Sequence, residues 1–429
     1  MTNAMYSPAF SYPGLALETA EDRRVPMVIP LLCAFIASAL ALNAIGGGLN
    51  YVIWALGIVC TFAFAVGSLQ GGFSVPREVF LYGGFLLWAT FGAPIARISA
   101  FYWTIYTTLF QFLVMLLVVS HYVWNARTLK ILLLAFLLGA LTVGASGYLS
   151  GEYQRSEDLT ARTSGLAMNS NQFGMILTHA SVILLFLFRV SRSLLVRAAV
   201  GFLLVAAAAL IIASGSRGSF VAFIIQMIVW FTLVYAREWK RYPGQFLGGA
   251  VVLAAVGIAL AAGFGGSALA KRFENLTKGG AVSYTRETST QARIDLYFRG
   301  LEVIGSHPLF GVGAGNFIAY APKMLYSHSN YIEVFTSVGI PGGLLYYGVM
   351  ISLALRLRRL RRFYQADDRM LMVVRLAQTV LVVRLVNDFT RVTYTQKPDW
   401  ILLALLIGWA HYADQRARAA YTGAYAGAA

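Results

Sequence analysis

The chain has 429 residues, of which 58% are hydrophobic and only 12% are charged, and its formal net charge is +16. Soluble globular domains carry about 25% charged residues, so this composition excludes a soluble fold with a water-facing surface. A net positive charge is also typical of nucleic-acid-binding proteins. Here, however, the basic residues flank apolar segments, and we expect no nucleic-acid partner.

Many apolar segments have the length of about 20 residues that a helix needs to cross the hydrocarbon of a bilayer. They lie at about residues 26–45, 50–67, 79–96, 101–123, 129–148, 169–188, 195–214, 219–236, 245–265, 331–355, 370–387 and 399–413. The sequence therefore predicts an all-α polytopic membrane protein with about 12 transmembrane helices, in contact with membrane lipids.

Lys and Arg are concentrated in alternate loops, and this distribution sets the predicted orientation. Cytoplasmic loops of membrane proteins carry an excess of these residues. The side shared with the N-terminus holds 19 of the 34 basic residues: Arg23, Arg24, Arg77, Arg127, Lys130, Arg189, Arg192, Arg197, Arg237, Lys240, Arg241, Arg356, Arg358, Arg359, Arg361, Arg362, Arg369, Arg416 and Arg418. Both termini are therefore predicted to be cytoplasmic.

This topology divides the chain into five parts. A cytoplasmic N-terminal segment (1–25) precedes helices one to nine (26–265), a large outer loop (266–330), helices ten to twelve (331–413) and a cytoplasmic tail (414–429). Within the loop, residues 291–304 repeat apolar side chains with a period near 3.6, which predicts a short amphipathic helix on the outer membrane surface. Asp295 and Arg299 are four residues apart and can pair on it. The stretch GSHP at 305–308 is a helix stop signal.

A serine- and glycine-rich stretch, SGSRGSF at residues 214–220, joins the seventh and eighth spans on the outer side. Arg217 lies between two glycines and near three hydroxyl groups. A guanidinium group there can bind an anion with two hydrogen bonds. The alternative is an interface arginine whose stem lies along apolar surface.

The outer loop continues with Arg293 and then with HPLFGVGAGNF at residues 307–317. Backbone N–H groups of such a glycine-rich stretch can bind phosphate. No strand–turn–helix pattern surrounds it, so a dinucleotide-binding fold is excluded. A flexible turn is the alternative.

His328 lies at the start of the tenth span, in YSHSNYIEVFTSVGIPGG. An imidazole with a pKa of about 6.5 can take up a proton near neutral pH. Asn330 and Glu333 are close enough in sequence to orient it or a ligand. The GIPGG stretch is predicted to interrupt the helix. A boundary histidine bonded to a carbonyl is the alternative.

The eleventh span contains Arg375, Arg384 and Asp388. Charges inside a membrane usually face the interior of a helix bundle. Arg384 and Asp388 are four residues apart and are predicted to pair, either as a structural element or to shape a site. The spans contain few other carboxylates, which disfavours an ion-coupled permease. No metal site is predicted, because His307 and His328 have too few partners for zinc.

The predicted outer surface thus combines arginines with one histidine beside lipid. Arginines can bind a diphosphate and stabilise the charge that develops as it leaves. A histidine can accept a proton from an attacking sugar hydroxyl. The combination suits a substrate with a lipid tail, a diphosphate and a polar head outside the membrane.

These motifs resemble those of the O-antigen ligase and polymerase superfamily. The resemblance covers about residues 160–360 and rests on Arg217 in SGSRG, Arg293 before HPLFGVGAGNF, and His328 before GIPGG. Arg162 in RTSG, with Asn171 nearby, resembles a further motif of the family. In the family an asparagine often follows the histidine directly, whereas here Ser329 precedes Asn330.

The resemblance implies a metal-independent, cofactor-free, inverting glycosyltransferase of the bacterial inner membrane, with its large loop and active site on the periplasmic side. The donor would be an undecaprenyl-diphosphate-linked oligosaccharide or polysaccharide. By this resemblance Arg217, Arg293 and His328 are the expected catalytic residues, with His328 serving the acceptor hydroxyl. The expected substrate-binding residues are Arg217, Arg293, Asn330, Arg162, Asn171, Arg299 and Arg384.

Three functions remain open at this point. Transfer of the glycan to lipid A–core would make the protein an O-antigen ligase of lipopolysaccharide biosynthesis, which is the function we predict. Joining of lipid-linked repeat units would make it a polymerase of O-antigen or exopolysaccharide. A lipid-linked glycan flippase is the alternative of another class, for which Arg375 and Arg384 are the only candidates for a cationic path.

Overall fold

The computed structural model describes residues 27–42, 49–70, 74–149, 153–155, 161–163, 169–235 and 287–426. The predicted N-terminal segment, the span at 245–265 and the first part of the outer loop lie outside these residues. The helices within the described ranges are α1 (Val28–Ala41), α2 (Leu49–Gln70), α3 (Arg77–Ala89), α4 (Ser99–Tyr122), α5 (Ala126–Leu149), α6 (Ser170–Val190), α7 (Leu194–Ala213), α8 (Arg217–Val234), α9 (Glu287–Ser306), α10 (Asn330–Phe363), α11 (Asp368–Asn387) and α12 (Lys397–Ala426). Two short strands, β1 (Tyr153–Arg155) and β2 (Ala161–Thr163), form an antiparallel hairpin.

Eight of these helices are long and apolar enough to cross a membrane: α2, α4, α5, α6, α7, α8, α10 and α11. Apart from the short hairpin, the described residues are helical as predicted, and several of the helices are candidates to span a membrane. The total of twelve spans and the location of the termini stay predictions.

Two predicted spans differ from the helices that form. The segment predicted at 26–45 contains the 14-residue helix α1. The segment predicted at 79–96 contains α3, which ends at Ala89 and continues only as a short 3₁₀ turn, Thr90–Gly92. Pro94 explains this end, because proline cannot donate the next helical hydrogen bond and disfavours helical geometry in the residue before it.

The most buried part of α12 lies at the centre of the bundle. Trp400 and Trp409 are completely buried there, and α12 packs against α4, α5 and α10. The predicted span at 399–413 falls in this helix, which is not among the eight apolar helices. Neighbouring helices thus cover the face that an isolated span would expose to lipid.

Helix α9 confirms the helix predicted at 291–304 and ends at Ser306, where the stop signal lies. Its buried face carries Leu296 and Val303, which pack with Val312 and Phe317. Three other apolar residues of this helix, Ile294, Phe298 and Leu301, are exposed. Arg299, which was predicted to pair with Asp295, forms an ion pair with Glu302 at 2.8 Å, one turn along the helix.

Helix α10 is broken at Gly339, which has a φ of 70° and a ψ of −176°, as the GIPGG stretch predicts. The break frees backbone carbonyl groups, and the glycine-rich loop after α9 binds them. Val312 N donates to Thr336 O at 2.8 Å and Gly313 N donates to Ser337 O at 3.0 Å. These two N–H groups are used by the broken helix, which favours the turn over the phosphate-binding alternative for this stretch.

Glycine is required on both sides of this contact. A Cβ atom on Gly339 would overlap Leu309 O, and one on Gly311 would overlap Thr336 O. Gly311 has a φ of 68°, in the left-handed region where L-residues with a side chain are disfavoured. The loop and the broken helix therefore fit as one unit that leads from α9 to His328.

Candidate active site

Helices α6, α8 and α10 all begin at one end of the bundle, beside a cavity of about 850 Å³. The cavity brings together predicted site residues from distant parts of the chain: Asn171, Arg217, Arg293 and His328. Glu333 is the one carboxylate among its lining residues in the described chain. Arg391 also lines the cavity, so three arginines lie around a single acid. This excess of positive charge suits the site to an anion.

The serine-rich turn SGSRG places Arg217 in the first turn of α8. Gly215 has a φ of 61°, and the Ser216 side chain caps the helix by accepting a hydrogen bond from Ser219 N at 3.3 Å. Ser214 Oγ accepts a hydrogen bond from Ser216 N at 3.2 Å. The small polar residues of the motif therefore build the turn, and Arg217 lines the cavity at a helix N-terminus, where anions are stabilised.

Helix α6 brings a second N-terminus to the same cavity. The side chain of its N-cap residue, Asn169, accepts a hydrogen bond from Asn171 N at 2.8 Å. Ser219 Oγ donates to Asn171 O at 3.3 Å and ties the two helix starts together. Two helix N-termini thus add their positive ends to the charge of the arginines.

His328 has a φ of 56°. This backbone conformation is uncommon for residues with a side chain, and it is enriched at functional sites. Hydrogen bonds on both sides hold it there. Ser327 N and Oγ donate to Glu333 Oε2 at 3.0 and 2.8 Å. On the other side Asn330 N donates to Asp388 O at 2.7 Å. The imidazole itself lines the cavity, with its ring centre 4.2 Å from that of Tyr326.

Burial and the nearby Arg293 guanidinium lower the pKa of His328 from 6.5 to about 4. The ring is therefore neutral at pH 7 and can accept a proton. A neutral imidazole is the form that general-base catalysis needs.

Arg293 lies in α9 and lines the cavity, whereas Arg299 does not. Arg299 is held outside by Glu302 and by Tyr320 O, to which its Nε donates at 2.9 Å. By position, Arg293 and not Arg299 can reach a ligand in this cavity.

Asn330 and Arg384 lie beneath the cavity in a buried polar cluster, which does not support the substrate contacts predicted for them. Asn330 Nδ2 donates to Asp388 Oδ2 at 3.1 Å, and Asn330 is completely buried. Arg384 is 3% exposed and lies 3.4 Å from Asp388 and 3.0 Å from Asp399. The predicted pairing of Arg384 with Asp388 is present.

Arg162 lies in β2, opposite Gln154 of β1. Its side chain is outside the described part of the structure, so its predicted contact with substrate stays a prediction.

Sequence reasoning missed the α11–α12 loop, residues 388–396. Six of its residues line the cavity: Thr390, Arg391, Val392, Tyr394, Thr395 and Gln396. Asn330 holds this loop, because its Oδ1 accepts hydrogen bonds from Thr393 N at 2.9 Å and Tyr394 N at 2.8 Å. The signal was a short run of polar residues on the outer side between two spans.

The site combines a neutral imidazole with several guanidinium groups in one cavity at the end of a helical bundle. These groups can hold an anionic leaving group and accept a proton from a nucleophile. Within the described ranges, no group of three or more His, Cys, Asp or Glu side chains could hold a metal ion. Fold and site together define a polytopic membrane protein with a cationic cavity at one end.

Comparison with known families gives a match for residues 202–347, to the family described as O-Antigen ligase. This range contains Arg217, Arg293 and His328. Residues 202–347 thus match a domain of the O-antigen ligase and polymerase superfamily, whose members are membrane glycosyltransferases, and the resemblance drawn from the motifs is confirmed for this part of the chain. Among curated proteins, the comparison found no match.

Proposed function

We propose that the protein transfers a glycan from undecaprenyl diphosphate to a sugar hydroxyl of lipid A–core, as an O-antigen ligase at the periplasmic face of the inner membrane. The observation that carries the proposal is the single cavity lined by Arg217, Arg293 and His328. Its cations suit a diphosphate, and its neutral histidine suits an acceptor hydroxyl.

In the proposed step, the acceptor hydroxyl oxygen attacks the anomeric carbon of the donor sugar. A new carbon–oxygen bond forms as the bond from that carbon to the diphosphate oxygen breaks, and the configuration inverts. The hydroxyl proton goes to the imidazole of His328. The bonding electron pair leaves with undecaprenyl diphosphate, whose growing charge Arg217 and Arg293 stabilise.

The location of basic residues supports a periplasmic site. Helices α6 and α10 begin at the cavity and run to Arg189 and to the arginines at 356–362. At that far end Arg356 forms a buried ion pair with Glu78 at 3.0 Å. If the end rich in arginine is cytoplasmic, as the positive-inside rule expects, the cavity faces the periplasm.

Polymerisation of lipid-linked repeat units would use the same cavity and the same chemistry, with a different acceptor. A flippase would need a cationic path through the bundle. Arg384 does not offer one, because two buried aspartates, Asp388 and Asp399, bind it. A surface reaction is therefore favoured over transport.

The test is transfer by purified protein in liposomes supplied with an undecaprenyl-diphosphate oligosaccharide. Lipid A–core and a second donor molecule are offered as competing acceptors, with and without chelator. Glycosylated lipid A–core supports the ligase, and a ladder of lengthened lipid-linked chains supports the polymerase. If neither product forms while the donor crosses the bilayer, the enzyme proposal fails and the flippase takes its place.

A further inference from the structure

We propose that Arg391 is a third cation that binds the diphosphate of the lipid-linked donor, an inference that rests on the proposed function. Arg391 lies in the α11–α12 loop, outside the matched family range of residues 202–347. It lines the same cavity as Arg217 and Arg293.

The nearest acid does not satisfy Arg391. Its Nη2 lies 3.9 Å from Asp399 Oδ2, which is beyond hydrogen-bond distance. Asp399 also lies close to two other groups, Arg384 Nη1 at 3.0 Å and His179 Nε2 at 3.4 Å. One carboxylate thus serves three basic side chains, and Arg391 is the most distant of them.

Arg391 Nη1 is buried and has no hydrogen-bond partner in the described part of the chain. The whole side chain is only 17% exposed. A buried donor on a charged group is costly to leave unsatisfied, and native proteins rarely do so. A ligand that brings acceptor oxygens into the cavity would satisfy it.

The charge of the cavity specifies the kind of ligand. The charged residues lining it are Arg217, Arg293 and Arg391, opposed by Glu333. With His328 neutral, this leaves two positive charges in excess. In the donor the diphosphate is esterified at both ends, so each phosphate carries one negative charge and the two together match this excess, and planar guanidinium groups bind phosphate oxygens in pairs.

The loop holds Arg391 in a fixed place relative to the other two groups. Thr393, two residues later, donates from its hydroxyl to Asp388 and from its backbone N to Asn330 Oδ1 at 2.9 Å. On the other side, a Cβ atom on Gly218 would lie 3.2 Å from Thr390 Oγ1, so the loop packs against the first turn of α8. Arg391 therefore lies between the Arg217 turn and the cluster that supports His328.

The test is equilibrium binding of undecaprenyl diphosphate and of undecaprenyl monophosphate to the purified full-length protein. We expect Arg391→Gln to weaken diphosphate binding about 10-fold or more and monophosphate binding by less. Arg299→Gln is the matched control, because Arg299 is an arginine outside the cavity, and it should leave both affinities unchanged. Arg391→Met, which keeps the apolar stem, repeats the test if the glutamine variant does not fold.

A folded Arg391 variant that keeps the wild-type ratio of diphosphate to monophosphate affinity would overturn the inference. If Arg391 had a purely structural role, its substitution would weaken the binding of both lipids equally, and the ratio of the two affinities would also stay at the wild-type value. If the wild-type protein binds neither lipid and transfers no glycan, the proposed function itself fails. If it transfers glycan while the variant keeps the wild-type ratio, only the role of Arg391 is lost.

Discussion

Asn330 and Asp388 are joined by two hydrogen bonds: Asn330 N donates to Asp388 O at 2.7 Å, and Asn330 Nδ2 donates to Asp388 Oδ2 at 3.1 Å. Asn330 is two residues after His328, and Asp388 is three residues before Arg391. The pair therefore fixes the distance between the proposed base and the loop that closes the cavity. The side-chain amide of Asn330, one residue after Ser329, faces the buried Asp388 carboxylate.

The first prediction concerns this pair. Asn330→Ala removes one of the hydrogen bonds to the Asp388 carboxylate and leaves two backbone N–H groups of the α11–α12 loop without their acceptor. We expect a loss of about 2–4 kcal/mol in the free energy of unfolding, since each buried unsatisfied group costs about 1–3 kcal/mol, and a fall in glycan transfer. Denaturation in detergent and transfer in liposomes measure the two effects.

Asn125→Ala is the control for this variant. Asn125 is also a buried asparagine, and its side chain caps α5 by accepting from Thr128 N at 2.7 Å. This variant should be destabilised without losing transfer at permissive temperature. Equal loss of transfer in both variants would mean that Asn330 acts through stability alone.

A second prediction concerns the break in α10. Gly339→Ala places a side chain at a φ of 70° and against Leu309 O. We expect a loss of at least about 2 kcal/mol in stability, from the left-handed conformation and the contact together. Gly305→Ala, where a Cβ atom has no neighbour within 4 Å, should be neutral or slightly stabilising in the same thermal melt. A Gly339→Ala protein with the same melting temperature as the wild type would contradict the described packing.

The pH dependence of transfer gives a third prediction. Because burial and Arg293 lower the pKa of His328 to about 4, the base stays neutral through pH 6. We expect kcat/KM to be flat from pH 8 to pH 6 and to fall as the pH approaches 4. Arg293→Gln removes one cause of the shift, so its acid limb should move to higher pH.

A wild-type profile with a midpoint near pH 6.5, the ordinary value for an imidazole, would contradict the lowered pKa of His328. The same shift affects stability. Because the pKa of His328 is lower in the folded than in the unfolded state, the unfolded chain binds more protons between these values. The contribution of His328 to stability is therefore lost as the pH falls from 6.5 towards 4.

A fourth prediction separates charge from geometry at Arg217. Arg217→Ala should lower transfer by about 100- to 1,000-fold, as expected for loss of a group that stabilises developing charge. Arg217→Lys keeps the charge but loses the planar pair of donors, and its activity should be intermediate. Arg97→Lys is the control, because Arg97 lies over the Tyr320 ring at 3.9 Å and does not line the cavity. Wild-type transfer by Arg217→Ala would remove this arginine from the site.

Local chemistry builds two parts of the site: the helix break, which was predicted, and the turn and helix cap at Arg217, which were not. The serines and glycines around Arg217 are the residues that a tight turn and a helix cap require, and they occur side by side. The break at Gly339 was predictable for the same reason, because glycine and proline together interrupt a helix.

Contacts between distant segments were not predictable from these patterns. The glycine-rich loop and the helix break were both recognised, but not that Val312 and Thr336 bind each other. The buried contacts of Asn330 were not predictable, because its partners Asp388 and Thr393 lie 58 and 63 residues further along the chain. Asn330 was therefore predicted to bind substrate. Arg391 was missed because only the folded loop brings it to the cavity.

The most direct test of the account compares two histidines on the same side of the protein. His328 lines the cavity, whereas His307 lies outside it, with its ring Nδ1 2.9 Å from Ser306 Oγ. Transfer by purified His328→Ala and His307→Ala proteins is measured beside their affinity for undecaprenyl diphosphate. We expect His328→Ala to lose transfer by about 100-fold or more and still to bind the lipid, and we expect His307→Ala to behave as wild type. Transfer by His328→Ala at the wild-type rate would contradict the assignment of this cavity as the site of glycan transfer.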